Sequence, residues 1–474
     1  MECALSVGQE ALWFINRMAP ESAAYNVSFT TRLHTALDVS VFARAVWSTA
    51  RRHDVLRSVF TEIEGVPKRI VSDSGLFRLD VRDVPGVSEA LLTDLVRAEV
   101  ARPFHLAAES PARLVLLRRA PDDVVLVFAA HHIAMDLPSQ VLVLQDLLDT
   151  YQALMAGRTP DLVPLTSTYD DFVTAERRLL DSPRAAELVD QWRAVCAGVP
   201  TVLNLLTDRP RPTHQRLRGS SHVFQLPEDV VSGLVPASRE NRTTPARYLL
   251  AVFQCLLHRY AHQADFLLGC AATSTLGLNR QGVAGYFVNS IPVRARFTPT
   301  TTFRETVREA TGQLREGMAR TDLPFALLPR ALGLVRATGA SPLFQVMVSM
   351  VTVNRASPLL ALAAGGHGTE VDYAGLTLTA FDVPQQEGQF DLTLELVRDA
   401  TSIRCALKYD MDLFDRSTVG RLAEHFVLFL RAAAADPDRR VDDVPLVDDT
   451  ERARILAFAT GNPALAFASN GGKP

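Results

Sequence analysis

The sequence predicts an α/β protein built as two lobes of similar make-up, and three stretches carry that reading. Val124 to His132 is a short, β-branched apolar run of the kind that forms a buried strand, and Pro138 then opens a helix. Leu37 to Arg52 places Val41, Phe42, Ala45, Val46 and Ala50 on one helical face, ahead of the β-like run Leu56 to Phe60. The alternation returns later, with a helix over Ala246 to Tyr260, a strand over Phe266 to Cys270 and an apolar run from Gly285 to Arg294.

Between the first strand and its helix lies a loop, Ile133 to Leu137. In that helix Val141, Leu144, Leu148, Tyr151 and Met155 recur at helical spacing, and Gly157 ends it. From 157 to 220 the chain turns Pro-rich and charged, including Thr-Asp-Arg-Pro-Arg-Pro at 207 to 212, and reads as a traverse between lobes. The expected division is a first lobe over 1–175, a second over 176–435 and a linker over 436–474, where Asp-Pro-Asp-Arg-Arg and Ser-Asn-Gly-Gly-Lys-Pro lack core residues.

Composition narrows the function. The chain has 474 residues, 47% hydrophobic and 22% charged, with 49 Lys plus Arg against 53 Asp plus Glu. That is globular chemistry with a near-neutral balance, and it offers no basic footprint for nucleic acid or an anionic membrane. Partners are therefore expected to be recognised by shape. Cys3, Cys196, Cys255, Cys270 and Cys405 are dispersed and odd in number, which reads as reduced packing residues. The start lacks a basic region ahead of its apolar residues, and no apolar stretch reaches the ~20 residues of a membrane span, so a cytoplasmic location is expected.

The chemistry-bearing segment is His131-His132-Ile133-Ala134-Met135-Asp136. Consecutive strand residues face opposite ways, so one histidine is chemical and the other structural. Adjacent histidines also make a poor zinc pair, and no metal, nucleotide or flavin requirement is expected. His132, nearer the loop, is placed to accept a proton from an amine or hydroxyl attacking a thioester. The following helix N-terminus would favour a developing oxyanion. Asp136 could orient His132 directly or form an ion pair pinning the loop; the ion pair is preferred, with Arg57 as partner and Arg280 or Arg294 behind it. On the hexapeptide alone, a His-His pair at the end of a buried strand is more often a satisfied core pair than a catalytic one.

The motif has company. Leu5-Ser6-Val7-Gly8-Gln9-Glu10-Ala11-Leu12-Trp13 with Ala24-Tyr25-Asn26, Arg52-His53 with Leu56-Arg57-Ser58-Val59-Phe60, Tyr169-Asp170-Asp171-Phe172, Thr207 to Pro212, Gly285 to Asn289, Pro342 to Met347 and Gln389 to Leu392 follow in order. Together they resemble the condensation domains of nonribosomal peptide synthetases, over about 400 residues. The family's His-His-x-x-x-Asp-Gly is met at 131 to 136, but Leu137 stands where Gly is usual.

The resemblance implies two chloramphenicol-acetyltransferase-like lobes as a V-shaped pseudo-dimer, with a tunnel entered from both sides by phosphopantetheine arms of carrier proteins. Nothing else would be bound. The implied reaction is attack of a carrier-bound aminoacyl amine on a donor thioester, with His132 catalytic or positioning and Asp136 mainly structural. Upstream donor and downstream acceptor carrier proteins, and an adjacent adenylation domain, would be partners of a domain that is monomeric when isolated. Asn289, Ser290, Ser349 and Gln389 are candidate tunnel residues, although a turn or a capped edge would explain them too. Trp13 should pack the first lobe and the Phe344 to Met350 stretch should be strand core. Leu137 and the Pro20 to Asn26 opening resemble the subgroup accepting polyketide or fatty acyl donors; Leu137 could equally plug the lobe core.

Ester formation, epimerisation, heterocyclisation and a non-catalytic recruitment platform share parts of this pattern. The histidines argue against heterocyclisation, and the presence of both His132 and Asp136 argues against the platform. The first two motifs favour condensation over epimerisation. Imidazole serves a hydroxyl acceptor as well as an amine, so ester formation stays open.

Overall fold

In a computed structural model of the chain, residues 1–447 are described apart from 74, 275, 277–279, 335–338, 354–356, 364–368, 384–387 and 400, together with 452, 453 and 456. Two six-stranded mixed sheets carry the structure, with a small three-stranded sheet (Glu2–Ala4, Val66–Val71, Ser58–Ile63) beside the first. The first large sheet runs Glu370–Tyr373, Leu376–Ala380, Asn26–Leu33, Asp123–His131, Ala112–Ala120, Leu79–Asp83. The second runs Val288–Arg296, Asp265–Thr273, Val346–Thr352, Leu392–Arg398, Ile403–Asp410, Gly219–Gln225.

Asp123–His131 explains its own apolar run, since it is a central strand covered on both faces. Val124, Leu126 and Phe128 join the core under the helices Val39–Arg52 and Leu137–Met155, whereas Val125 and Val127 pack with Leu92 and Val96 of the helix Glu89–Val100. The helix Val39–Arg52 buries Phe42, Ala45, Val46, Thr49 and Ala50. Leu56 and Arg57, read as strand, lie in the 3-10 turn Asp54–Arg57, and the strand starts at Ser58. In the second lobe the helix Pro245–Ala261 has ten consecutive buried residues from Tyr248 to Leu257, because it lies between its sheet and neighbouring helices.

Three expectations need correction. The traverse holds two helices, Tyr169–Leu180 and Pro183–Cys196, so a boundary near 175 would cut the first of them. The second half of the chain is not one lobe. Helix Pro358–Ala363 and strands Glu370–Tyr373 and Leu376–Ala380 cross to the first lobe, where Leu359, Leu362, Leu376 and Leu378 enter its core. Leu378 pairs with Leu33 and Thr379 with Arg32, which occupies a sheet edge that would otherwise expose unpaired backbone groups. Finally, the start of the expected linker is packed: Val441 and Val444 are 1% exposed, and Arg440 bridges to Thr302.

Candidate functional site

Both lobes line one cavity of about 1460 Å³. The second sheet contributes alternate residues, Thr393, Glu395 and Val397 on one strand and Arg404, Ala406 and Lys408 on the next, while Leu394, Leu396, Cys405 and Leu407 point into the core. The first lobe contributes Tyr25 to Ser28, His132, Leu137, Pro138 and Gln140.

The strand ends at His131, which pairs with Asn26, and the chain then turns so that His132 faces the cavity. His132 N donates to Tyr25 O at 2.7 Å. Its ring Nδ1 lies 3.0 Å from Met135 O. A carbonyl only accepts, so Nδ1 carries the proton in the neutral ring and Nε2 is left with its lone pair. His131 is 3% exposed and turned inward, where its Nδ1 accepts from Ile133 N at 3.1 Å and its ring meets Phe104 edge-on. The two histidines thus occupy different environments, one at the last strand position and turned inward, the other in the turn that follows and facing the cavity.

Burial, then the neighbouring His132, holds the His131 ring down to about 3. In the unfolded chain this ring takes a proton below about 6.5. The unfolded state therefore binds more protons between these values, and stability from this group is lost as pH falls from about 6.5 towards about 3. Glu176 opposes it, because burial raises its carboxyl from 4.5 to about 7 and its folded-state protonation favours acid. We expect urea midpoints of His131→Asn, whose Oδ1 can still accept from Ile133 N, to fall less steeply with acid than wild type. Parallel curves would contradict the assignment.

Asp136 is 2% exposed and forms no ion pair among the described residues. Arg57 donates to Ser72 O at 2.7 Å, Arg294 pairs with Asp265, and Arg280 donates to Ser274 O and lies over Phe287. The Asp136 carboxylate instead caps the helix Leu137–Met155, accepting from Ser139 N at 3.0 Å, and accepts from Phe287 N at 3.2 Å with its other oxygen. Asp136 N and Ser139 Oγ both donate to Gly285 O, at 3.1 and 2.9 Å. Segment 285–287 of the second half is thereby stitched to the histidine loop.

The same bonds limit the oxyanion role of this helix end. Pro138 has no N–H, Ser139 N is held by the Asp136 side chain, and Gln140 N by Asp136 O at 2.9 Å. Leu137 is the first residue of the helix rather than of the loop, because Asp136 is its cap. Its side chain is half-buried, touching both the lobe core and the cavity.

The other motif residues are mostly pins. Gln9 Nε2 donates to Ile133 O at 2.9 Å from within the capping box it forms with Ser6. Arg52 and His53 both bond Asp146 of the loop's helix, at 2.7 and 2.8 Å. Tyr169 Oη donates to Tyr286 O at 2.9 Å, Arg211 holds the buried Asp391, and Gln345 bonds the backbone of 201, 203 and 341. Gln389 donates to Ala24 O across the lobes.

Asn289, Ser290, Ser349 and Gln389 all line the cavity. Asn289 lies in a strand, not a turn, and its amide is consumed by Thr321 O and Leu323 O, each at 2.8 Å, and by Phe325 N. Met347 and Met350, read as core, also line the cavity, and Trp13 is half-buried with Arg17 over its ring at 5.0 Å. All five cysteines are free. Among the described residues no His, Cys, Asp or Glu cluster is placed to hold a metal, and no helix is long and apolar enough to cross a membrane. Sequence reasoning missed Ser139 and the cavity-lining Glu176, and met Tyr286 only as part of the Gly285 to Asn289 motif, without a role.

Comparisons agree with this architecture. Residues 1–456 match the family described as Condensation domain. The chain is 33% identical over 458 residues to the phosphinothricin tripeptide synthetase PhsB of Streptomyces viridochromogenes, covering 95% of this chain and 37% of that protein. It is 30% identical over 478 residues to the isonitrile lipopeptide synthase of Mycobacterium tuberculosis, covering 98% and 18%. It thus spans well under half the length of either relative. Among solved structures, the X-domain in complex with OxyB from teicoplanin biosynthesis superposes with a TM-score of 0.83 at 26% identity, covering 94% of this chain and 96% of that one. The two sheets are the paired chloramphenicol-acetyltransferase-like lobes of such domains. With the histidine motif on the wall of the cavity that both lobes line and the match running through nearly all of the chain, this protein belongs to the condensation-domain family, the amide-forming acyltransferases of nonribosomal peptide synthetases.

Proposed function

We propose that the cavity joins a carrier-bound acyl thioester, polyketide or fatty acyl in kind, to the amine of a carrier-bound aminoacyl acceptor. His132 is the observation that carries this reading: a cavity-lining ring whose Nδ1 is tied to Met135 O and whose Nε2 is left for substrate. The amine nitrogen attacks the thioester carbonyl, the C–N bond forms and the C–S bond breaks. Nε2 takes or orients the amine proton and returns it to the leaving thiolate. Asp136 acts through position, holding the loop and helix that present the ring. The donor and acceptor carrier proteins, with an adjacent adenylation domain, are the partners this chemistry asks for, and the isolated domain works as a monomer.

The donor class rests on Leu137. Its helical position removes the need for glycine's backbone freedom, so what Leu adds is apolar surface on the cavity wall. Ala11, Leu12, Ile15, Leu360 and Ala363 extend that apolar lining. The lipopeptide named in the Mycobacterium relative fits the same donor class. We expect acyl-loaded donor carrier protein to outcompete peptidyl-loaded protein for one acceptor, and Leu137→Gly to erode that preference by roughly tenfold, the scale of a small change in an apolar pocket. Preference of the unaltered protein for the peptidyl donor would overturn the donor assignment.

A further inference from the structure

We propose that Tyr286 is a positioning residue for His132, an inference that rests on the role given to His132 above. The two rings meet edge to face, with centroids 5.2 Å apart and planes at 79°. Among the described residues the His132 ring makes one hydrogen bond, at Nδ1, to Met135 O. A single bond sets the direction of Nδ1 but lets the imidazole rock about it, which would swing Nε2 away from a substrate. An aromatic partner across the ring removes that freedom.

Tyr286 is itself held from three sides. Its carbonyl accepts from Tyr169 Oη at 2.9 Å, and the same phenol bonds Ser6 Oγ at 3.0 Å. Its neighbours Gly285 and Phe287 are bonded to Ser139 and Asp136 on the loop's own helix. On the remaining side lies Gly8, in the helix Val7–Met18, where an added Cβ would stand 2.7 Å from Tyr286 Cε1. Gly285 is needed as well, because a Cβ there would meet the Tyr169 ring at 2.0 Å. Two distant segments thus hold the backbone on and beside Tyr286, a third closes on its ring, and that ring contacts the histidine.

Near-attack geometry tolerates little error, since a displacement of about 1 Å costs on the order of a hundredfold in rate. The test compares Tyr286→Leu, which removes the ring, with Tyr286→Phe, which restores it without the hydroxyl. Amide formation is followed by intact-protein mass, and the His132 tautomer by ¹⁵N NMR of histidine-labelled full chain with the rings neutral. We expect Tyr286→Leu to lower kcat roughly ten- to hundredfold with KM within about twofold, and its His132 signal to average between tautomers. Tyr286→Phe keeps the single Nδ1–H tautomer and a kcat within about threefold. An unaltered kcat and tautomer in Tyr286→Leu would overturn the proposal, as would a Phe variant as slow as the Leu variant, which would assign the effect to the hydroxyl. Should the unaltered protein form no amide with any donor, the reading of His132 fails, and the tautomer measurement still decides whether Tyr286 positions the ring.

Discussion

Replacing His132 with alanine lowers kcat for amide formation roughly a hundred- to ten-thousandfold, the usual worth of a positioned acid–base group, while the urea midpoint stays at the wild-type value. The ring is half-buried on the cavity wall, and among the described residues its one hydrogen bond goes to Met135 O three residues on, so little packing is lost with it. His131→Ala behaves in the opposite sense. It leaves the buried Ile133 N–H without its acceptor, at about 1 to 3 kcal/mol. Rates measured by intact-protein mass, set beside urea midpoints, separate the two. An inactive but stable His131→Ala with an active His132→Ala would reverse the assignment.

Asp136→Ala has the largest expected effect on stability among the loop residues. It removes the cap of the helix Leu137–Met155, worth about 1 kcal/mol, and leaves Phe287 N–H unpaired, adding about 1 to 3 kcal/mol. Amide formation falls with it, because the stitch between the histidine loop and segment 285–287 is cut. Asp136→Asn, which keeps an acceptor oxygen, loses less. Arg57→Ala leaves the helix cap intact, since that guanidinium is engaged with Ser72 O. Equal urea midpoints for Arg57→Ala and Asp136→Ala, both well below wild type, would reinstate an ion pair and contradict the cap.

What was legible in the sequence was local. The buried strand ending at His131 is visible in its β-branched run, whereas the turn that aims His132 at the cavity lies beyond the last strand residue. The traverse between the lobes carried helix signals that its prolines obscured, for Thr168-x-x-Asp171 is a capping box and Pro183 stands in the first turn of the next helix. The distant partner of Asp136, beyond the helix it caps, was not legible. It is the backbone N–H of Phe287, and an amide has no identity in a sequence, whereas an arginine does. The crossing of helix Pro358–Ala363 and strands Glu370–Tyr373 and Leu376–Ala380 into the first lobe was hidden for a related reason: alternating Leu376 and Leu378 announce a strand but not which edge it joins. Tyr286 matters through a ring contact that only the folded chain creates.

These same particulars bear on a recruitment platform and not on the choice of acceptor. A recruitment platform needs the lobes but not an imidazole on the cavity wall with a nitrogen that no described residue engages, and ester formation needs the same imidazole with a hydroxyl acceptor.

The most direct test is to incubate the protein with acyl-loaded donor carrier protein and aminoacyl-loaded acceptor carrier protein, and to weigh both carriers intact over time. The acyl mass is expected to move from the donor to the acceptor as an amide stable to hydroxylamine, and His132→Ala to abolish most of this transfer. Transfer undiminished in His132→Ala, or acyl mass that stays on the donor with the unaltered protein, would contradict the role given to this histidine and its cavity.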